Sequence, residues 1–193
     1  MKRYRLTVWM VAVVSALAIG VQSSAAYASA KTGAIEFGTL NSIARAPSGQ
    51  TMEISGAGTF SLQPKSVSGT ADVIEAAFGT VPRTFTQRTA NGAVVAQGTW
   101  EVTGILSYTS FGPATPEQIA FFGGLPPGSE GGKVMLNVAL FVGGVRVHDG
   151  ILTIVCELGQ APTNSVESTL LLLQDGSGNF NQPVSGDNIF IRQ

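Results

Sequence analysis

The chain predicts an all-β fold, an antiparallel sandwich or closed barrel of about seven to nine strands with one short helix at 115–122. Three observations carry this expectation. Apolar and polar residues alternate with a period of two through most of the chain. Asn-Gly at 91–92 separates two such runs, which is the chemistry of a tight hairpin turn. One segment carries both the start and the stop signals of a helix.

The elements follow in order. In "TMEISGAGTFSL" (51–62), Met52, Ile54, Gly56, Gly58, Phe60 and Leu62 share one face and Thr51, Glu53, Ser55, Ala57, Thr59 and Ser61 the other. Two inward glycines predict a bend or bulge there. The segment 65–79, with "ADVIEAAF", reads as a strand or a short helix. "RTFTQRT" (83–89) and "AVVAQGTWEVTGILSYTSF" (93–111) flank the hairpin turn, with Trp100, Val102, Leu106 and Tyr108 on one parity. In "TPEQIAFFG", Thr115 is a helix N-cap, Pro116 the first helical residue, Gln118 the other half of a capping box and Gly123 the stop. "GGLPPGSEGG" (123–132) is too rich in Gly and Pro for regular structure. "KVMLNVALFV" (133–142), "ILTIVCEL" (151–158), "VESTLLLLQ" (166–174) and "NIFIRQ" (188–193) complete the strands. "VMLNVALFV" and "TLLLL" are apolar on both parities, so both of their faces need cover, from the helix, a neighbouring subunit or a ligand.

Residues 1–30 have the three-part layout of a signal peptide: Lys2, Arg3 and Arg5, an apolar run from Leu6 to Val21, and small residues with cleavage sites after Ala28 or Ala30. The apolar run is short of the ~20 residues that a spanning helix needs. The expected organisation is a signal peptide (1–30), a partly extended N-terminal segment (31–49) and a single β domain (50–193), secreted to the extracellular side. Removing the first thirty residues leaves eight basic residues against twelve acidic, a formal charge of −4. Such a surface steers neither nucleic acid nor anionic membrane towards itself. A single cysteine cannot form an internal disulfide, so the core alone must hold the fold.

The only histidine, His148, and the only cysteine, Cys156, share the stretch "RVHDGILTIVCELG". With 151–158 extended, Cys156 lies in an apolar row as a small hydrophobe. His148 falls in a "VHDG" turn, roughly 26 Å away along the chain, too far for a Cys–His dyad. His148 and Asp149 are sequence neighbours, and no G-x-S-x-G elbow accompanies them. The plainer reading is an exposed histidine in a hairpin turn. Asp175, Ser177 and Asn179, with Asn181, have the alternate spacing of a calcium loop but lack its glycine and its bidentate glutamate; the plainer reading is a polar turn. Glu53, Glu101 and Glu157 would be candidate acid and base groups only if they lined a polar barrel lumen, whereas their parity places them on solvated faces. Trp100 and Tyr108 share the apolar parity, which favours core over sugar stacking. No cofactor is expected.

"SGAGTF", "GTWEVTGILSYTSFG" and "PVSGDNIFI" resemble landmarks of an uncharacterised group of bacterial secreted β-rich proteins. The resemblance spans most of residues 50–193 and implies no activity and no site residue. The expected role is non-enzymatic binding of a small apolar ligand or a partner chain, including a second copy. The rivals are a carboxylate-based hydrolase or isomerase in a barrel lumen and a carbohydrate-binding module. At helical spacing Ile119 and Phe122 share a face and Phe121 points elsewhere. Ile119 and Phe122 are therefore expected to close an apolar pocket as a flap or to plug the core, with Phe121 left for a ligand or partner.

Overall fold

The computed structural model describes residues 33–193. The expected signal peptide lies outside these residues. In chain order the elements are β1 (Ile35–Arg45), β2 (Thr51–Leu62), β3 (Lys65–Ser68), α1 (Asp72–Phe78), β4 (Thr84–Arg88), β5 (Val94–Pro113), α2 (Pro116–Phe121), β6 (Ser129–Val142), β7 (Val145–Cys156), β8 (Ser168–Leu173), β9 (Asn179–Phe180) and β10 (Gln182–Arg192). β1 belongs to the same compact unit as everything after it, Thr32–Gln193. It pairs with β2 and β10, so the boundary expected at residue 50 falls inside the domain.

The fold is all-β and antiparallel. The strand order is β10-β1-β2-β4-β5-β6-β7-β8-β9, with β3 on the side of β2. β6 also pairs with β10, through Glu130↔Phe190 and Ser129↔Ile191, and this closes β1, β2, β4, β5, β6 and β10 into a ring. From Gly132 onward β6 pairs with β7 instead. The ring is thus shut at the start of β6, and beyond that point β7 and β8 widen it. β8 returns against β1 and β10, where Thr39, Ser42, Thr169 and Asn188 form a buried hydrogen-bonded network. Asn188 also donates to the Val155 carbonyl at 3.0 Å, so the network ties β10 to β7 as well. Buried polar groups satisfied in this way hold neighbouring strands without an orphaned donor or acceptor.

The alternating residues read from the sequence fill the interior. Met52, Ile54, Phe60, Phe85, Trp100, Val134, Leu136, Val138, Leu140, Leu152, Ile154, Leu171 and Phe190 are all buried in one cluster. Gly56 and Gly58 lie on this inward face because aromatic rings occupy their places: a Cβ at Gly56 would meet the Trp100 ring at 2.3 Å, and one at Gly58 would meet Phe37 at 2.9 Å. The expected irregularity falls across from them, in β1, where the register with β2 shifts between Thr39 and Ser42 and Asn41 takes a positive φ of 47°. Segment 65–79 resolves into β3 and α1. α1 buries Ile74 on the outer face of the sheet, with Ala57, Ile189 and Ile191. Its first amides, Val73 and Ile74, donate to the buried carboxylate of Glu36 from β1.

Two further sequence expectations change. The β6–β7 hairpin turns at Gly143 and Gly144, both at positive φ (58° and 80°), and not at "VHDG". His148 is therefore a strand residue, opposite Leu140. The helix at 115–122 forms with its capping box, Thr115 accepting from the Gln118 amide and Gln118 from the Thr115 amide. It buries none of its residues, however, and so does not plug the core.

Candidate functional site

The two ends of the ring differ. At the closed end the Tyr108 hydroxyl donates to Glu130 at 2.6 Å, and Arg192 donates to the same carboxylate through Nε (2.9 Å) and Nη2 (2.8 Å). Burial first, and Glu130 second, hold the Tyr108 phenol well above its usual range. Its ring packs on Phe60 at 5.1 Å and Phe190 at 5.4 Å. Every strong partner in this cluster is taken, and it sits where β6 meets β10. The arrangement is a latch on the closure of the ring.

The other end is open. Met52, Phe85, Gln87, Ala96, Leu140, Val142, Val147 and His148 line a concavity of ≈ 180 Å³. β2, β4, β5, β6 and β7 each contribute a side chain to it. Beneath it, among Ile54, Phe85, Trp100, Val138, Leu140, Leu152 and Leu171, the remaining void is only ≈ 10 Å³. That is the lower limit for one water, and an apolar lining offers a water no partners. Between these residues the lumen is therefore filled by side chains, whereas the mouth above them is not.

His148 stands on the rim of this mouth. Its Nδ1 lies 2.7 Å from Asp175 Oδ2, on the turn between β8 and β9. Asp175 Oδ1 accepts from the Ser177 amide (2.9 Å) and hydroxyl (2.6 Å). The Ser177 hydrogen bonds, then that of His148, hold the Asp175 carboxyl at about 2. Arg146 and Asp149 pair with each other beside it.

The sequence-derived candidates fall elsewhere. Glu53, Glu101 and Glu157 are outside the buried set: Glu53 and Glu101 stand next to inward residues of their strands, Met52 or Ile54 and Trp100, and Glu157 follows Cys156 just past the end of β7. They do not gather in a lumen. Asp175 and Ser177 bond to each other, Asn179 pairs with Leu172 in β9, and among the described residues no group of three His, Cys, Asp or Glu is placed to hold a metal. Ile119, Phe121 and Phe122 are 40%, 83% and 57% exposed, and none lines either concavity. α2 follows the far end of β5, whereas Ala96, near the start of that strand, lies at the mouth, so the helix does not stand over this concavity. Trp100 is buried, with Nε1 donating to Ser55 at 2.9 Å, so neither it nor Tyr108 offers a flat stacking face. Cys156 is buried at the closed half of β7, and its thiol is pushed up to about 12, by burial first and by Glu167 next.

The His148–Asp175 pair is what the sequence reading missed. The signal was present in the strand register: β7 and β8 pair Gly150 with Leu173, and two residues further on His148 faces Asp175. Comparison with protein-family models, curated proteins and solved structures finds no significant match.

Proposed function

We propose that this protein is a secreted, non-enzymatic binding domain that takes a small, largely apolar molecule into the mouth of its barrel. The observation that carries the reading is the ≈ 180 Å³ concavity at the open end, apolar except for Gln87 and His148. An apolar recess with few polar groups is the usual make-up of a small-ligand site, and barrel mouths are a recurrent place for one. An apolar cavity of about 150 Å³ admits benzene, so the mouth has room for a single ring or a short chain. The carboxylate-enzyme reading gains no support from glutamates that face outward. The carbohydrate reading gains none from aromatics that face inward.

The test is a titration with toluene followed by methyl NMR. Met52, Leu140 and Val142 should shift, and Ala96→Trp, which fills the mouth, should abolish the response. Unchanged methyl resonances at millimolar toluene would end this reading. A second reading, docking of a partner chain, rests on a different observation: Phe121 and Phe122 stack edge-to-face at 5.1 Å on an exposed helix. Secretion is tested separately, by N-terminal sequencing of protein from the culture medium, with Lys31 or Ser29 expected first.

A further inference from the structure

We infer that the mouth selects apolar molecules bearing a hydroxyl, and that His148 accepts the hydroxyl's hydrogen bond at Nε2; this rests on the pocket reading above. The argument begins at Ser177. Its amide and hydroxyl both engage Asp175 Oδ1, at 2.9 and 2.6 Å, which fixes the carboxylate and leaves Oδ2 for the histidine. Oδ2 lies 2.7 Å from His148 Nδ1. The carboxyl is held at about 2, so it is ionised and can only accept. The hydrogen between the two groups must then sit on Nδ1. In a neutral imidazole with Nδ1 protonated, Nε2 is a bare acceptor. Among the described residues Nε2 has no hydrogen-bond partner, and His148 is one of the residues that line the mouth.

The chemistry of the ligand follows. Apart from His148, the only side-chain amide or charged group in the lining is Gln87, whose amide both donates and accepts and therefore does not discriminate. His148 does discriminate. An alcohol or phenol can donate to Nε2. A ketone or ether would place lone pair against lone pair, and a hydrocarbon would leave Nε2 without a partner. A site that presents a fixed polar atom to a hydroxyl rejects the analogue lacking it more strongly than a greasy pocket rejects a change of size.

Asp175 gives the decisive variant. In Asp175→Asn the amide oxygen must stay on the Ser177 amide hydrogen, which turns the NH₂ towards His148. Nδ1 then has to accept, and the hydrogen moves to Nε2. The same ring at the same place becomes a donor.

The experiment measures the affinity of p-cresol, toluene and acetophenone for the full chain at pH 8. In the wild type p-cresol should bind about tenfold more tightly than toluene, as one net hydrogen bond implies, and acetophenone no more tightly than toluene. His148→Phe should erase the p-cresol advantage while toluene still binds. Asp175→Asn should shrink that advantage and raise acetophenone several-fold over toluene. Equal binding of p-cresol and toluene by the wild type, or an advantage that survives His148→Phe, would overturn the hydroxyl inference and leave the pocket standing. An unchanged order in Asp175→Asn would overturn the tautomer argument on which it depends. Failure of all three molecules to bind would remove the pocket itself.

Discussion

Cys156 and His148 share a strand and an inward parity, yet they meet opposite surroundings. Cys156 lies where the ring is filled, beside Ile154 and Leu158 in the core. A thiol pushed up to about 12 has almost no thiolate at pH 8, and thiolate is the reactive form. Labelling with a thiol reagent in native buffer should therefore be slower by orders of magnitude than in denaturant. Cys156→Ala should cost about 1 kcal/mol, the burial lost with one small side chain. Rapid labelling of the folded protein would show that the strand opens there. The place of Cys156 was legible in the sequence because parity alone decides it. The place of His148 was not. Asp-Gly at 149–150 imitates a hairpin turn, but Gly150 serves instead to admit β8: a Cβ there would touch Leu171 and the Leu172 carbonyl at 3.0 Å. The Gly143–Gly144 pair six residues earlier makes the actual turn.

The two helices show what an element's own sequence can and cannot convey. α2 carries its whole start signal locally, in Thr115, Pro116 and Gln118, and forms as read. Its spacing sorted Ile119, Phe121 and Phe122 into faces but contained nothing about what those faces would meet. α1 is the converse. Its N-cap position is Ala71, which has no capping oxygen, and the cap comes from Glu36, which accepts from the Val73 amide thirty-seven residues on. That is why "ADVIEAAF" reads ambiguously on its own. The difference is measurable. Phe121→Ser and Phe122→Ser should each change the unfolding free energy by less than ~0.5 kcal/mol, as substitutions on an open surface do. A core plug would lose ~3 kcal/mol or more at either position. Equilibrium urea unfolding separates the two outcomes. If Phe121→Ser also lowers the apparent mass in sedimentation, the exposed pair joins copies of the chain.

At the scale of the whole molecule the strands were legible and their closure was not, because closure depends on where one strand changes partner. β6 pairs with β10 over only two residues before β7 takes its place. Glu167 sits at this branch. Its carboxylate accepts from the Glu157 amide (2.8 Å), just past the end of β7, and from the Asn188 amide (2.7 Å) of β10. It bridges β7 and β10, which do not pair with one another. Burial pushes the Glu167 carboxyl up to about 7, and Glu157 pushes the same way, against the two amide donors. An acid whose folded value lies above its unfolded one, near 4.5, binds more protons folded than unfolded between the two. Its contribution to stability is fully present below about pH 4.5 and is lost as the pH rises through about 7. Between pH 5 and pH 8 the loss is about 2 kcal/mol, allowing for partial solvent screening. Glu167→Gln keeps a neutral carbonyl at the branch and does not titrate. The difference in unfolding free energy between the wild type and Glu167→Gln, measured in urea across that range, removes the other titrating groups from the comparison. It should fall by about 2 kcal/mol as the pH rises, with the steepest change near pH 5.5 to 6, midway between the unfolded and folded values. A constant difference would mean that Glu167 is ionised throughout and that its two amide donors outweigh its burial.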